Sequence, residues 1–95
     1  MIMRKTTPEN VKLKDWIYIG IKEAVVCGID ENNPNKIEAV YLDNRNQAIV
    51  EFVQYNEGHW DFVNLGLCGG YADNILRLGD YVRLLRAGNN PFWSK

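Results

Sequence analysis

The stretch that decides the fold is residues 36–64, KIEAVYLDNRNQAIVEFVQYNEGHWDFVN. Three segments within it, 37–42, 47–54 and 59–63, alternate between apolar and polar residues, as half-buried strands do. Two turn signals separate them, DNRN before the second segment and YNEG before the third. The sequence therefore predicts an antiparallel meander of three strands.

The turn types fix a predicted register for this meander. A two-residue loop at 44–45 pairs Glu38 with Glu51, and a three-residue loop before His59 places Phe62 opposite Phe52. One face is then apolar and should be the core: Ile37, Ala39, Tyr41, Ala48, Val50, Phe52, Trp60 and Phe62. The other face mixes charged and aliphatic side chains: Glu38, Val40, Leu42, Ile49, Glu51, Val53, His59 and Asp61. We expect the curled sheet, a terminal segment or a second subunit to cover those aliphatic residues.

The rest of the chain predicts two more strands and a helix. Segments 16–19 and 24–29 are short and rich in β-favouring residues. Further on, Ile75, Leu78, Val82 and Leu85 recur at helical spacing, Asp73 is a candidate N-cap, and Gly88 follows as a C-terminal glycine. Gly79 interrupts this pattern and can split it into a turn and a helix that begins near Asp80.

The predicted fold class is α+β, a strongly bent antiparallel sheet of about five strands with a C-terminal helix packed on it. The alternative is a final strand over 81–86, which would give an all-β, SH3-like barrel. A chain of 95 residues with 46% hydrophobic residues is one domain. We expect its ordered core over about 14–88 and an apolar tail at 89–95.

Composition and charge limit the classes of function. No apolar run approaches the roughly 20 residues that span a bilayer, so we expect a cytoplasmic protein without membrane association. Both ends are basic, at +3 for 1–14 and +3 for 75–95, whereas residues 15–74 hold ten acidic and three basic residues. This acidic middle disfavours nucleic acid as a partner.

Several residues are candidates for a binding site. In the predicted register the carboxylates Glu38, Glu51 and Asp61 share a face with His59, a set that can bind a ligand or divalent cation or carry out acid–base chemistry. The glycine-rich connector that contains Cys68, Gly69 and Gly70 could offer backbone N–H groups to an anion. Cys27 and Cys68 match no metal-binding spacing, and the sequence leaves open whether they pair. It predicts no catalytic residue, metal ligand or cofactor.

The aliphatic residues of the second face suggest an interface. Val40, Leu42, Ile49 and Val53 are too many for a solvated surface, and the tail adds Phe92 and Trp93. We therefore interpret the chain as a non-enzymatic interaction module, forming a homodimer or binding another protein. The alternatives are a domain that binds a small ligand or anion between sheet, glycine loop and helix, a nucleic-acid-associated accessory protein, and a small metal-dependent enzyme.

Several short motifs stand out, namely VYLD at 40–43, HWDF at 59–62, GGYAD at 69–73, and RL, YV and LLR spaced over 77–86. Together they resemble a group of small uncharacterised bacterial proteins, some of which travel as integron gene cassettes. The similarity spans about residues 16–88. It implies a bacterial cytosolic origin and a helical C-terminal end, and it brings no known activity with it.

Overall fold

The computed structural model describes residues 6–64 and 69–88. Its five strands are β1 (Trp16–Ile19), β2 (Lys22–Ile29), β3 (Lys36–Leu42), β4 (Ala48–Asn56) and β5 (His59–Phe62). They form a closed barrel in chain order, antiparallel throughout except where β5 meets β1 at Ile19 and Trp60. An odd number of alternating strands brings the first and last together in parallel. Two short 3₁₀ turns, Ala72–Asn74 and Leu76–Leu78, precede the helix α1 (Gly79–Ala87).

The predicted five-stranded sheet with a C-terminal helix is confirmed, and the sheet closes into a small barrel. Closure is the feature that the all-β alternative predicted, whereas residues 81–86, assigned there to a last strand, are helical. The helix begins at Gly79, one residue before the predicted start near Asp80, and it ends at Ala87, followed by Gly88 with a left-handed φ of 70°. The predicted N-cap at Asp73 is wrong, because Asp73 lies in the first 3₁₀ turn.

The predicted register of the β3–β4 hairpin is wrong by one residue. Val40 pairs with Val50 and Ala39 with Glu51, because the loop has three residues, 44–46, instead of two. Asn46 takes a φ of 66°, and the Asp43 carboxylate accepts hydrogen bonds from the Arg45 and Gln47 amides at 2.8 and 2.9 Å. This aspartate-stabilised turn adds the residue that shifts the register.

The register of the β4–β5 hairpin also differs by one residue from the predicted one. Its loop is the two-residue Glu57-Gly58, with φ values of 48° and 90°, which is the type I′ pattern. Val53 therefore pairs with Phe62, where the sequence predicted Phe52. The two shifts cancel for β5, so Trp60 lies on the same face as Ile37, Ala39 and Tyr41, as predicted, while every residue of β4 changes face.

The barrel has two apolar layers. The interior is filled from all five strands by Ile17, Ile19, Ala24, Val26, Ile37, Ala39, Tyr41, Ile49, Val53 and Trp60. The outer layer lies beneath the 3₁₀ turns and α1 and contains Trp16, Val25, Cys27, Val40, Ala48, Val50, Ala72, Leu78, Val82 and Leu85. The helix therefore covers the outer face of β2 and β3. It is a terminal segment, one of the three covers that the sequence analysis expected over aliphatic residues of the sheet.

The segment before β1 packs against the barrel. The Trp60 indole N–H donates to the carbonyl oxygen of buried Thr6 at 2.9 Å, and Val11 packs against the interior layer. The packed part of the chain thus extends N-terminal of residue 14, the predicted edge of the core. The predicted tail at 89–95 lies outside the described residues.

Candidate functional site

The structure separates the carboxylates that the sequence placed together. Glu38 pairs with Phe52 on the outer face, whereas Glu51 pairs with Ala39 and points into the barrel. Their predicted pairing is wrong because the β3–β4 loop has three residues instead of two, which shifts the register of β4 by one residue. A ligand site built on both carboxylates is therefore not formed by this fold.

Glu51 is a buried acid within the barrel. It is 2% exposed, and the Tyr41 hydroxyl donates to its Oε2 at 3.4 Å. Burial raises the pKa of Tyr41, and the neighbouring carboxylate raises it further. Glu51 consequently belongs to the packed interior and is closed to an external ligand.

His59 and Asp61 form an exposed pair on β5. The imidazole Nε2 lies 3.1 Å from Asp61 Oδ2, and the two side chains are 61% and 46% exposed. Within residues 6–64 and 69–88, no group of three histidine, cysteine, aspartate or glutamate side chains is arranged to hold a metal ion. This part of the predicted constellation is a solvated surface pair.

The glycine connector packs against the sheet. Gly70 accepts a hydrogen bond from the Val50 amide at 3.1 Å, and Tyr71 forms a bridge with Ile49. A Cβ on Gly69 would stand 2.5 Å from the Val50 carbonyl oxygen. Gly69 and Gly70 thus let the chain lie against the first half of β4, at the edge that β5 does not pair with. Cys68 lies outside the described residues.

The predicted interface residues are mostly core. Val40, Ile49 and Val53 are at most 5% exposed in a single chain, and Leu42 is half-buried against the outer layer. Barrel closure and the helix therefore cover the aliphatic residues that suggested a homodimer. Phe92 and Trp93 lie outside the described residues, and the homodimer stays a prediction.

Among the described residues six large apolar side chains are exposed, and two of them, Phe52 and Val63, lie next to each other. Phe52 is 48% exposed and Val63 is 41% exposed, and they are neighbours because the Val63 amide donates to the Phe52 carbonyl at 3.1 Å. The predicted register had buried Phe52 in the core. The sequence signal for its exposed position lies in the Asp43–Asn46 turn. Asparagine tolerates a left-handed backbone, so Asn46 allows a three-residue loop, and this loop moves Phe52 to the outer face.

Phe52 and Val63 form one wall of a surface cleft of about 440 Å³. The other walls come from the β2–β3 hairpin, where β2 ends and β3 begins. The complete described lining is Gly28, Ile29, Asp30, Lys36, Ile37, Glu38, Phe52 and Val63. The cleft thus combines apolar side chains with three charged ones, the composition of a site that positions a ligand.

A β-bulge shapes the wall that contains Glu38. The register between β2 and β3 shifts at Cys27, so Gly28 pairs with Glu38. Cys27 turns under the helix and is buried. Burial raises the pKa of its thiol to about 12, and the nearby Glu38 carboxylate contributes to that shift. The thiol is therefore protonated and inert at neutral pH.

Comparison with protein-family models, with curated proteins and with solved structures finds no match for this chain. The resemblance to integron-cassette proteins therefore stays a prediction. The single described α-helix is too short and too polar to cross a membrane.

Proposed function

We propose that this protein is a non-enzymatic interaction module that binds an apolar side chain of a protein partner in the cleft beside Phe52. The observation that carries the proposal is the exposure of Phe52 and Val63 side by side at the wall of a concave site. Single exposed apolar residues are common on monomers, but adjacent ones lining a cleft are typical of binding surfaces.

The surroundings of Phe52 support this proposal. Its β4 neighbours on the other face, Glu51 and Val53, are both at most 2% exposed, so the strand is firmly packed. The Phe52 backbone is held by pairing with Glu38 on one side and with Val63 on the other. An aromatic side chain has only two rotatable bonds, so on a well-packed strand it can bind a partner with little loss of conformational entropy.

The chemistry of the cleft favours binding over catalysis. The described lining residues include no serine, threonine, cysteine or histidine, so they offer no hydroxyl or thiol nucleophile and no imidazole base. Cys27, the described thiol beside Gly28, is buried and protonated. Orientation of a bound group is the role that the lining supports.

The test is a titration of ¹⁵N-labelled protein with a capped neutral peptide, Gln-Leu-Gln-Phe-Gln, followed by amide chemical shifts. We expect saturable shifts that cluster at Gly28, Glu38 and Val63 and disappear in Phe52→Ser. The matched control is Ile21→Ser, which removes a side chain that is 97% exposed in the β1–β2 turn and outside the described cleft lining. Absence of shifts at the cleft, or equal shifts in Phe52→Ser, would refute the proposal.

A further inference from the structure

We propose that the cleft selects a basic segment of its partner, in which an apolar side chain is flanked by lysine or arginine. This inference rests on the proposed function and specifies the chemistry of the partner. The apolar side chain would contact Phe52 and Val63, and the flanking cation would contact the Glu38 carboxylate.

The Glu38 carboxylate is built into the wall of the cleft. Its side chain is 28% exposed, and its Oε1 lies 2.7 Å from the point where a Cβ on Gly28 would stand. The φ of Gly28 lies outside the left-handed region, so the backbone does not require glycine there. The lack of a side chain at Gly28 is what leaves room for the carboxylate beside the apolar wall.

Glu38 has an ion-pair partner that a ligand can replace. Arg77 Nη2 lies 3.3 Å from Glu38 Oε2, and the Arg77 side chain is 58% exposed. Such exposed pairs add little to stability, because water and salt screen them. A cation delivered into the cleft, close to Phe52 and partly shielded from water, can therefore compete for this carboxylate.

The charge around the cleft complements a cation. Asp30 and Glu38 outnumber Lys36 among the charged residues of the described lining. The barrel strands lie within residues 15–74, which hold ten acidic and three basic residues, and Arg77 beside Glu38 offsets one of these acids. This field attracts a basic segment and slows the approach of an acidic one, and it opposes the phosphates of a nucleic acid.

The test compares three capped pentapeptides that share the same leucine and phenylalanine and differ only in flanking lysine, glutamine or glutamate. We expect the lysine peptide to bind about tenfold more tightly than the glutamate peptide at about 0.02 M salt, and this ratio to shrink at about 0.3 M. Binding is measured by the cleft amide shifts, with the neutral peptide as reference.

Two variants link this preference to Glu38. Glu38→Gln should remove most of the difference between the lysine and glutamine peptides, whereas Glu57→Gln, the same charge change at the exposed β4–β5 turn, should preserve it. Gly28→Ala should weaken the preference as well, because the added Cβ displaces the carboxylate.

The outcomes separate this inference from the proposed function. Equal binding of all three peptides at the cleft would overturn the inference and leave the interaction module standing. Equal effects of Glu38→Gln and Glu57→Gln would also overturn it, since net charge alone would then explain the preference. If none of the peptides shifts the cleft amides, both proposals fail.

Discussion

Arg86 and Asp73 form a bidentate ion pair that connects the helix to the β3–β4 hairpin. Arg86 Nη1 and Nη2 donate to Asp73 Oδ1 and Oδ2 at 2.8 and 2.9 Å. The same carboxylate accepts from the Ala48 amide at 3.1 Å, and Arg86 also donates to the Asn46 carbonyl. Asp73, which the sequence suggested as a helix cap, instead connects the first 3₁₀ turn, α1 and the start of β4.

This geometry predicts a measurable coupling between Asp73 and Arg86. In a double-mutant cycle with Asp73→Asn and Arg86→Gln, we expect a coupling energy of about 1 kcal/mol, because paired parallel hydrogen bonds exceed a single exposed contact. The matched control is the exposed pair Asp80 and Arg83 on the same helix, where we expect about 0.3 kcal/mol. Urea unfolding measures both coupling energies. Equal values would show that the bidentate geometry adds no stability.

The same pair predicts a loss of stability in acid. The hydrogen bonds from Arg86 and then from the Ala48 amide hold the pKa of Asp73 below its ordinary value of 3.8. Because the folded-state pKa is the lower one, the stabilisation is fully present above pH 3.8 and disappears as the pH falls through the folded-state pKa. The difference in unfolding free energy between the native chain and Asp73→Asn should therefore be largest near neutral pH and shrink in acid. A difference that stays constant down to about pH 2 would contradict this assignment.

The sequence predicts the elements of this fold better than their register. Alternation identifies the strands, and the interrupted helical spacing predicts a helix start near Asp80, one residue from the observed start of α1 at Gly79, because these signals are summed over many residues. The register depends on single turn residues. Glu57 takes a left-handed conformation that glutamate seldom adopts, and the Asp43 carboxylate stabilises an extra loop residue.

The candidate site depends on the register, so it was missed for the same reason. A shift of one residue carried Phe52 out of the predicted core and Glu51 into it. Glu38 stayed on the outer face, but its neighbours became Phe52 and Arg77 in place of Glu51. The bulge at Cys27 that opens the cleft beside Gly28 has no marker in the local alternation.

The close packing of Gly69 predicts opposite effects at two glycines. Gly69→Ala would place a Cβ 2.5 Å from the Val50 carbonyl oxygen and 3.0 Å from the Val50 carbonyl carbon, and rigid backbone cannot yield cheaply. We expect a loss of about 1–3 kcal/mol in unfolding free energy. Gly79→Ala meets only the end of the Arg83 side chain at 3.9 Å and should stabilise the protein by about 0.5 kcal/mol.

Denaturant unfolding of both variants tests this contrast. The comparison is well matched, since each change adds one methyl group and reduces the freedom of the unfolded chain equally. Unchanged or increased stability in Gly69→Ala would mean that the 69–71 segment is not held against β4. Destabilisation by Gly79→Ala would show that the start of α1 needs glycine for a reason beyond the space around it.

The burial of Cys27 predicts a thiol that reacts only when the protein opens. A pKa of about 12 in place of 9.0 lowers the thiolate fraction near pH 8 by roughly a thousandfold, and the side chain is only 6% exposed. In a Cys68→Ser background, we expect labelling by a disulfide reagent at least about a hundredfold slower in the native chain than in urea. Cys27→Ser in the same background is the blank for the reagent. Labelling of the folded protein at the rate of the unfolded chain would show that the bulge leaves the thiol open to solvent, and the cleft wall beside Gly28 would then need a different geometry.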